Sequence, residues 1–175
     1  FGEEKEAKKI AKDISKKRKK KEINTEKLVN IINKIKVRKN HKIHSATKVF
    51  QSLRIFVNQE ISELIKGLIN AYELLPIDSY IVVVTFHSLE DKIVKYFFKN
   101  FSKNRSKPSR YFPEFQNDNF CLFESYSSKP IKPSKSEIKK NNSSRSAKLR
   151  YATRSEKKFI FPTDLIKKFN KYLDI

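Results

Sequence analysis

The segment from Tyr80 to Phe86 constrains the fold of this chain more than any other feature of its sequence. It reads Tyr-Ile-Val-Val-Val-Thr-Phe, a run rich in β-branched residues that shows no alternation of apolar and polar positions. Such a run is typical of a strand buried on both faces in a parallel sheet. Helical patterns stand on both sides of it, so the sequence predicts an α/β fold.

The helical patterns around this strand predict two helices. The first runs from Ala46 to about Leu75 and is ended by Pro76. Its predicted apolar stripe consists of Phe50, Leu53, Val57, Ile61, Leu64, Leu68 and Leu75. The second begins at Ser88, which we expect to cap it with Asp91 as the partner in a capping box. Its predicted apolar face consists of Leu89, Ile93, Val94, Phe97, Phe98 and Phe101.

The remaining patterns divide the chain into three parts. Residues 1–45 carry two short amphipathic helices, the second behind Asn24 and Thr25, and are expected to form part of a small basic helical subdomain. Residues 46–155 hold the α/β elements, ending in a strand from Ser146 to Arg154 whose apolar and basic residues alternate. Residues 156–175 are an extension with one more amphipathic helix.

Charge narrows the class of partner. The chain has 40 Lys and Arg against 19 Asp and Glu, a formal net charge of +21. This balance favours nucleic acid first and a membrane surface second, although the run Lys16 to Lys21 is also typical of a solvated helix face. The sequence contains neither a membrane-spanning apolar stretch nor a signal peptide, so we expect a soluble cytoplasmic protein.

Rare residues limit the chemistry that we expect. Cys121 is the single cysteine, which excludes an internal disulfide framework and a multi-cysteine zinc site, while His41 and His44 form only a weak metal motif. Methionine is absent, so we expect a further segment before Phe1. Gly2 and Gly67 are the only glycines, too few for a loop that holds S-adenosylmethionine.

Three segments together resemble the ribosomal RNA small subunit methyltransferase H family. They are His44 to Glu60 (HSATKVFQSLRIFVNQE), Val83 to Phe98 (VVTFHSLEDKIVKYFF, with the family's F-H-S-L-E-D unbroken) and Lys129 to Arg154 (KPIKPSKSEIKKNNSSRSAKLRYATR). The opening, Phe1 to Ile14, is similar to the family's helical insert, so the match spans about residues 1 to 154. Departures from the family pattern include Ser45, Lys48, Asn142 and Ser143, and Ile77 and Asp78 stand where the family usually has two glycines.

The resemblance implies a Rossmann-like α/β enzyme that transfers a methyl group from S-adenosylmethionine to N4 of a cytidine in 16S rRNA of the small ribosomal subunit. It implies that this chain is the C-terminal part of such an enzyme, with the cofactor motifs before Phe1. No cofactor-binding residue is therefore assigned within the chain, no metal is expected, and the chain alone is expected to be inactive. A rival reading is a basic RNA-binding or ribosome-assembly protein without catalysis.

Candidate site residues fall into two groups. His87, Ser88, Glu90 and Asp91 follow the predicted strand and are candidates for the substrate pocket, because ligands of open α/β sheets bind beyond the carboxyl ends of strands. Ser88 and Asp91 are explained equally well as helix caps and Glu90 as a first-turn acid, whereas no such local role is predicted for His87. No general base is assigned, and Ser88 lacks the glycine-flanked turn of a hydrolase nucleophile.

The RNA-binding candidates are Arg54, Asn58, Arg145, Ser146, Lys148 and Arg150. Arg54 and Asn58 are one helical turn apart and either bind phosphate or fasten the insert to the sheet, the second being favoured. The other four belong to the segment SRSAKLR, whose alternation places Lys148 and Arg150 on one strand face. That face suits phosphate contacts, or it is a solvated edge protected by charge.

Overall fold

The computed structural model describes residues 3–36, 44–102 and 121–173. The chain divides into two compact units, Phe1–Glu60 and Ile61–Ile175. Seven α-helices and three strands are formed in the described part: α1 Ala7–Arg18, α2 Thr25–Ile35, α3 Thr47–Val57, α4 Glu60–Leu74, β1 Tyr80–Thr85, α5 Ser88–Asn100, β2 Phe123–Tyr126, α6 Lys135–Lys140, β3 Lys148–Arg154 and α7 Thr163–Phe169. Short 3-10 helices lie at Asn142–Ser146 and Asn170–Tyr172.

The first unit is helical and has a small aliphatic core. Ile10 of α1 and Ile32 of α2 are buried together with Ala46 and Val49. The predicted cap at Asn24 is confirmed, since its side chain accepts a hydrogen bond of 3.0 Å from the backbone N–H of Lys27. The two short helices predicted for this region are therefore present.

The long helix predicted from Ala46 to Leu75 is wrong, because α3 and α4 are separate helices. Gln59 between them has a positive φ of 50°, which no residue within a right-handed helix adopts. The predicted stripe fails in α3, where Val49 and Ile55 are buried while Leu53 and Val57 are 42% and 74% exposed. The break shifts the helical phase, so a stripe drawn through both helices cannot describe α3.

The second unit is built on an antiparallel sheet with the strand order β1-β3-β2. The mixed α/β character is confirmed, but the prediction that β1 is a parallel strand buried on both faces is wrong for the described sheet. β1 pairs antiparallel with β3, with Val83 opposite Arg150. Along β1, Ile81 and Thr85 are buried, whereas Tyr80, Val82 and Val84 are 50% to 64% exposed.

Helix α5 packs against the sheet and carries the core of this unit. All six residues of its predicted apolar face are buried. Phe123 of β2 lies edge-on to Phe97 and to Phe98, with ring centroids 5.2 Å and 5.3 Å apart. The predicted helix of the extension is also present, because Leu165 and Phe169 of α7 are buried and Phe169 lies edge-on to Tyr96 of α5. None of the described helices is both long enough and apolar enough to cross a bilayer.

Candidate substrate cleft at the start of helix α5

A cleft of about 340 Å³ opens where β1 ends and α5 begins. It is lined by Phe86, His87, Ser88, Lys132, Arg145, Ser146, Ala147 and Lys148. The sequence predicted five of these as site residues, in two separate groups: His87 and Ser88 for the substrate, and Arg145, Ser146 and Lys148 for RNA. The structure brings both groups to one place, because β3 runs antiparallel to β1 and starts beside the end of that strand.

His87 is the N-cap of α5, a local role that the sequence analysis does not predict. Its Nδ1 accepts a hydrogen bond of 3.3 Å from the backbone N–H of Glu90, and Glu90 Oε2 accepts one of 3.2 Å from the backbone N–H of His87. This reciprocal pair is a capping box, so the predicted box of Ser88 with Asp91 is wrong. The other ring nitrogen, Nε2, lies 3.2 Å from Glu90 Oε1 and the side chain is 8% exposed.

Glu90 is held as a carboxylate by these contacts. It also accepts a hydrogen bond of 2.8 Å from the backbone N–H of Phe86. Burial by itself would raise the pKa of Glu90, but the hydrogen bonds from the His87 side chain and from the backbone N–H groups of Phe86 and His87 outweigh it and hold the pKa below its ordinary value. Glu90 therefore fixes the turn between β1 and α5 and does not line the cleft.

Asp91 joins α5 to β3 through two ion pairs. Its Oδ1 accepts a hydrogen bond of 2.7 Å from Arg150 Nε, and its Oδ2 accepts one of 2.9 Å from Lys148 Nζ. Burial would raise the pKa of Asp91, but the hydrogen bond from Arg150 and then that from Lys148 prevail and hold it below 3.8. Asp91 thus stays charged and holds the side chains of Lys148 and Arg150.

The basic face of β3 points inward. Alternation along this strand is confirmed, but the expectation that Lys148 and Arg150 share an accessible face is wrong for Arg150, whose side chain is 3% exposed. Its guanidinium also lies 3.3 Å and 3.5 Å from the carbonyl oxygens of Ser128 and Ser127. Arg150 therefore supports the sheet, whereas Lys148, at 33% exposure, reaches the cleft.

Two predicted RNA contacts lie in the first unit. Arg54 donates hydrogen bonds of 2.7 Å and 3.0 Å to the two carboxylate oxygens of Glu60, and Asn58 Nδ2 lies 3.3 Å from one of them. These contacts bridge the break between α3 and α4. Phosphate binding by Arg54 and Asn58 stays a prediction, and their structural role is to hold this turn.

The sequence predicts that a glycine-rich loop before Phe1 holds S-adenosylmethionine. The glycines of this chain do not provide such a loop within the described residues. Gly67 lies in the middle of α4 with a negative φ, and Gly2 lies outside the described residues. A glycine loop that brings backbone N–H groups to a cofactor is therefore not formed by the described part of the chain. Of the weak histidine motif, His41 also lies outside the described residues.

Sequence reasoning missed Phe86 and Lys132. Phe86 was assigned to the strand, yet it follows β1 and is 54% exposed. Lys132 lies between Pro130 and Pro133, in the third segment of the resemblance, where its position could have been noticed. The antiparallel bridge between Ile131 and Leu149 brings it to the start of β3, and the sequence alone does not reveal that pairing.

The chain is a mixed α/β protein with a basic cleft at a strand-to-helix turn. Comparison with known proteins identifies its family. Residues 1–155 match the MraW methylase family, and the chain belongs to it. It is 44% identical over 152 residues to ribosomal RNA small subunit methyltransferase H of Ehrlichia chaffeensis, covering 86% of this chain and 48% of that protein.

Other relatives agree with this assignment. The protein of the same name from Paramagnetospirillum magneticum is 41% identical over 157 residues, covering 89% of this chain and 49% of the relative. The one from Wigglesworthia glossinidia brevipalpis is 43% identical over 157 residues, covering 87% and 50%. This chain thus spans about half the length of the curated relatives that it matches.

Proposed function

We propose that this chain is part of an enzyme that transfers a methyl group from S-adenosylmethionine to N4 of a cytidine in the 16S rRNA of the small ribosomal subunit. The observation that carries the proposal is the kinship with proteins named ribosomal RNA small subunit methyltransferase H over 86% to 89% of the chain. Such an enzyme works in the cytoplasm. Its complete form is a Rossmann-like methyltransferase, with residues 1–45 belonging to a helical insert that receives RNA.

In this proposal the cleft at the start of α5 receives the substrate. His87 and Ser88 stand on a rigid strand-to-helix turn, and the capping box fixes the orientation of the His87 ring. Holding an exocyclic amine in line with a methyl donor supplies a large part of the rate without a general base. S-adenosylmethionine supplies the methyl group when bound, and residues outside this chain hold most of it, so residues 1–175 alone are inactive.

Substitution of His87 separates positioning of the substrate from capping of the helix. Asparagine is a good N-cap and alanine is a poor one, so His87→Asn keeps the start of α5 whereas His87→Ala loses it. In the complete enzyme we expect both variants to slow single-turnover methylation of small subunits on the order of 10²-fold. Wild-type turnover in His87→Asn would show that His87 only caps the helix.

The rival function, an assembly protein without catalysis, is favoured by the net charge of +21 and the missing glycine loop of the described residues. The two functions differ in one measurement. Transfer of labelled methyl groups from S-adenosylmethionine to 16S rRNA by the complete protein supports the enzyme. RNA binding without transfer, by a complete protein that also fails to bind the cofactor in calorimetry, supports the rival.

A further inference from the structure

The cleft at the start of α5 is basic because three of its lining residues are cations and none carries a carboxylate. The three cations are Lys132, Arg145 and Lys148. Of the two acids in the first helical turn, Glu90 accepts hydrogen bonds from the backbone of the turn, and Asp91 pairs with Lys148, one of the three cations, and with Arg150. Three cations around one concave site suit an oxyanion with several acceptor oxygens.

An exposed aromatic ring adjoins these cations. Phe86 lines the cleft and is 54% exposed, although a phenylalanine at the end of a strand usually packs inward. Val84, two residues earlier in β1, is similarly exposed at 50% but does not line the cleft. An aromatic ring beside a basic groove is the arrangement with which proteins bind single-stranded nucleic acid.

We propose that the cleft holds one nucleotide of a single-stranded RNA segment. The base stacks on Phe86, and the phosphate lies among Lys132, Arg145 and Lys148. Asp91 is a positioning residue, because its ion pair of 2.9 Å fixes Lys148 Nζ at the edge of the cleft. A volume of about 340 Å³ falls within the range of ligand sites, ~300 to 1,000 Å³. The inference rests on the proposed function only in taking RNA as the polyanion.

Stacking is tested with a short single-stranded RNA and the same RNA with one abasic position, titrated by fluorescence anisotropy into residues 1–175. Stacking of one base contributes ~1–3 kcal/mol, so we expect Phe86→Ala to weaken binding roughly tenfold and to abolish the preference for the RNA that keeps its base. Val84→Ala is the matched control and should bind like the wild type. Equal losses in the two variants, or equal binding of the two RNAs by the wild type, would overturn stacking.

The phosphate contacts are tested by the salt dependence of the same titration. For single strands each lost phosphate contact flattens the log-log slope by ~0.7, and the cleft holds one phosphate, so Lys132→Ala with Arg145→Ala should flatten the slope by at most about 0.7. Lys135→Ala with Lys139→Ala, on exposed α6 and outside the lining of the cleft, controls for general surface charge and should bind at moderate salt as the wild type does. An equal loss of affinity in both double variants would show diffuse attraction and overturn the site.

The failure of this inference is distinguishable from failure of the proposed function, because binding is measured without a methyl donor. A complete protein that binds RNA through the cleft but transfers no methyl group would overturn the methyltransferase and leave the nucleotide site. A complete protein that methylates 16S rRNA equally well with Phe86→Ala and with Lys132→Ala and Arg145→Ala would overturn the nucleotide site and leave the enzyme.

Discussion

Basic side chains gather in two regions of the chain, and the two are built differently. In the helical unit the run Lys16 to Lys21 lies at the end of α1, and Lys17 pairs with Asp13 of the same helix at 2.6 Å. The region in the sheet unit holds fewer basic residues than that run. Lys148 and Arg150 share one carboxylate partner, Asp91, which lies more than fifty residues earlier in the chain. The first region is held by local geometry and the second by the fold.

The difference shows that the density of charge and the fixing of a charge in position are separate properties. Six consecutive basic residues are the most conspicuous feature of the charge pattern, yet five of them are exposed and only Lys17 is half-buried. The cations of β3 are separated by an uncharged residue and are less conspicuous, but Asp91 fixes their positions. A side chain contributes to specific recognition when it is held in place before the ligand arrives.

Asp91→Ala should have the largest effect on stability. It leaves Arg150 buried without its carboxylate, and we expect the free energy of unfolding to fall by about 3 kcal/mol, the lower end for breaking a buried ion pair. Urea unfolding of residues 1–175, followed by circular dichroism, measures the change. A loss equal to that of an exposed helical pair would mean that water replaces Asp91 and that β3 is not held by the fold.

The cap of α5 should give the next largest effect. Because His87 carries the capping box, His87→Ala should destabilise the protein by about 1 kcal/mol, whereas Ser88→Ala should change the stability by less than about 0.5 kcal/mol. The same urea titration compares the two variants. The reverse order would restore Ser88 as the cap and return His87 to the substrate pocket alone.

Acid should weaken the sheet unit through Asp91 and Glu90. Both have a pKa lowered in the folded state, so their contribution to stability is complete above the ordinary carboxyl pKa of ~4 and is lost as the pH falls through the lowered values. Asp91→Asn and Glu90→Gln should each flatten the decline in melting temperature below about pH 4. Parallel declines in wild type and both variants would assign acid sensitivity to other carboxylates.

Asp13→Ala, which removes the local pair in the helical unit, should have the smallest effect. Lys17 is 43% exposed and lies one turn away on the same helix, so we expect a loss of about 0.3 kcal/mol. A thermal melt at low and high salt measures it, and salt should erase the difference from wild type. A loss near that of Asp91→Ala would remove the contrast between the two regions.

Local patterns predicted most elements because each helix carries its own apolar face. The faces of α5 and α7 and the cap at Asn24 follow from residue type and spacing alone. The turn at Gln59 was not predictable in this way, because neither glycine nor proline marks it and a glutamine with positive φ has no sequence signal.

The sequence predicted only some of the residues of the candidate site, because the others depend on tertiary contacts. Alternation along β3 predicted two faces correctly, but the choice of the inner face depends on Asp91 of α5, a tertiary contact. Serine is a far commoner N-cap than histidine, so residue type favours Ser88 as the cap and does not predict that His87 caps α5. The segments of the family resemblance contain most of the candidates, and only the structure separated the residues that line the cleft from those that support it.

The exposed side of β1 has a consequence for handling residues 1–175 by themselves. An uncharged, largely apolar surface is formed by Tyr80, Val82 and Val84, and in the described part of the chain β1 pairs with a strand on one side only. Strands of this kind associate edge to edge. The net charge of +21 keeps the molecules apart at low ionic strength, and added salt removes that repulsion. Under the proposed RNA binding, the high salt that removes RNA during purification therefore also promotes aggregation, so the two steps need different buffers.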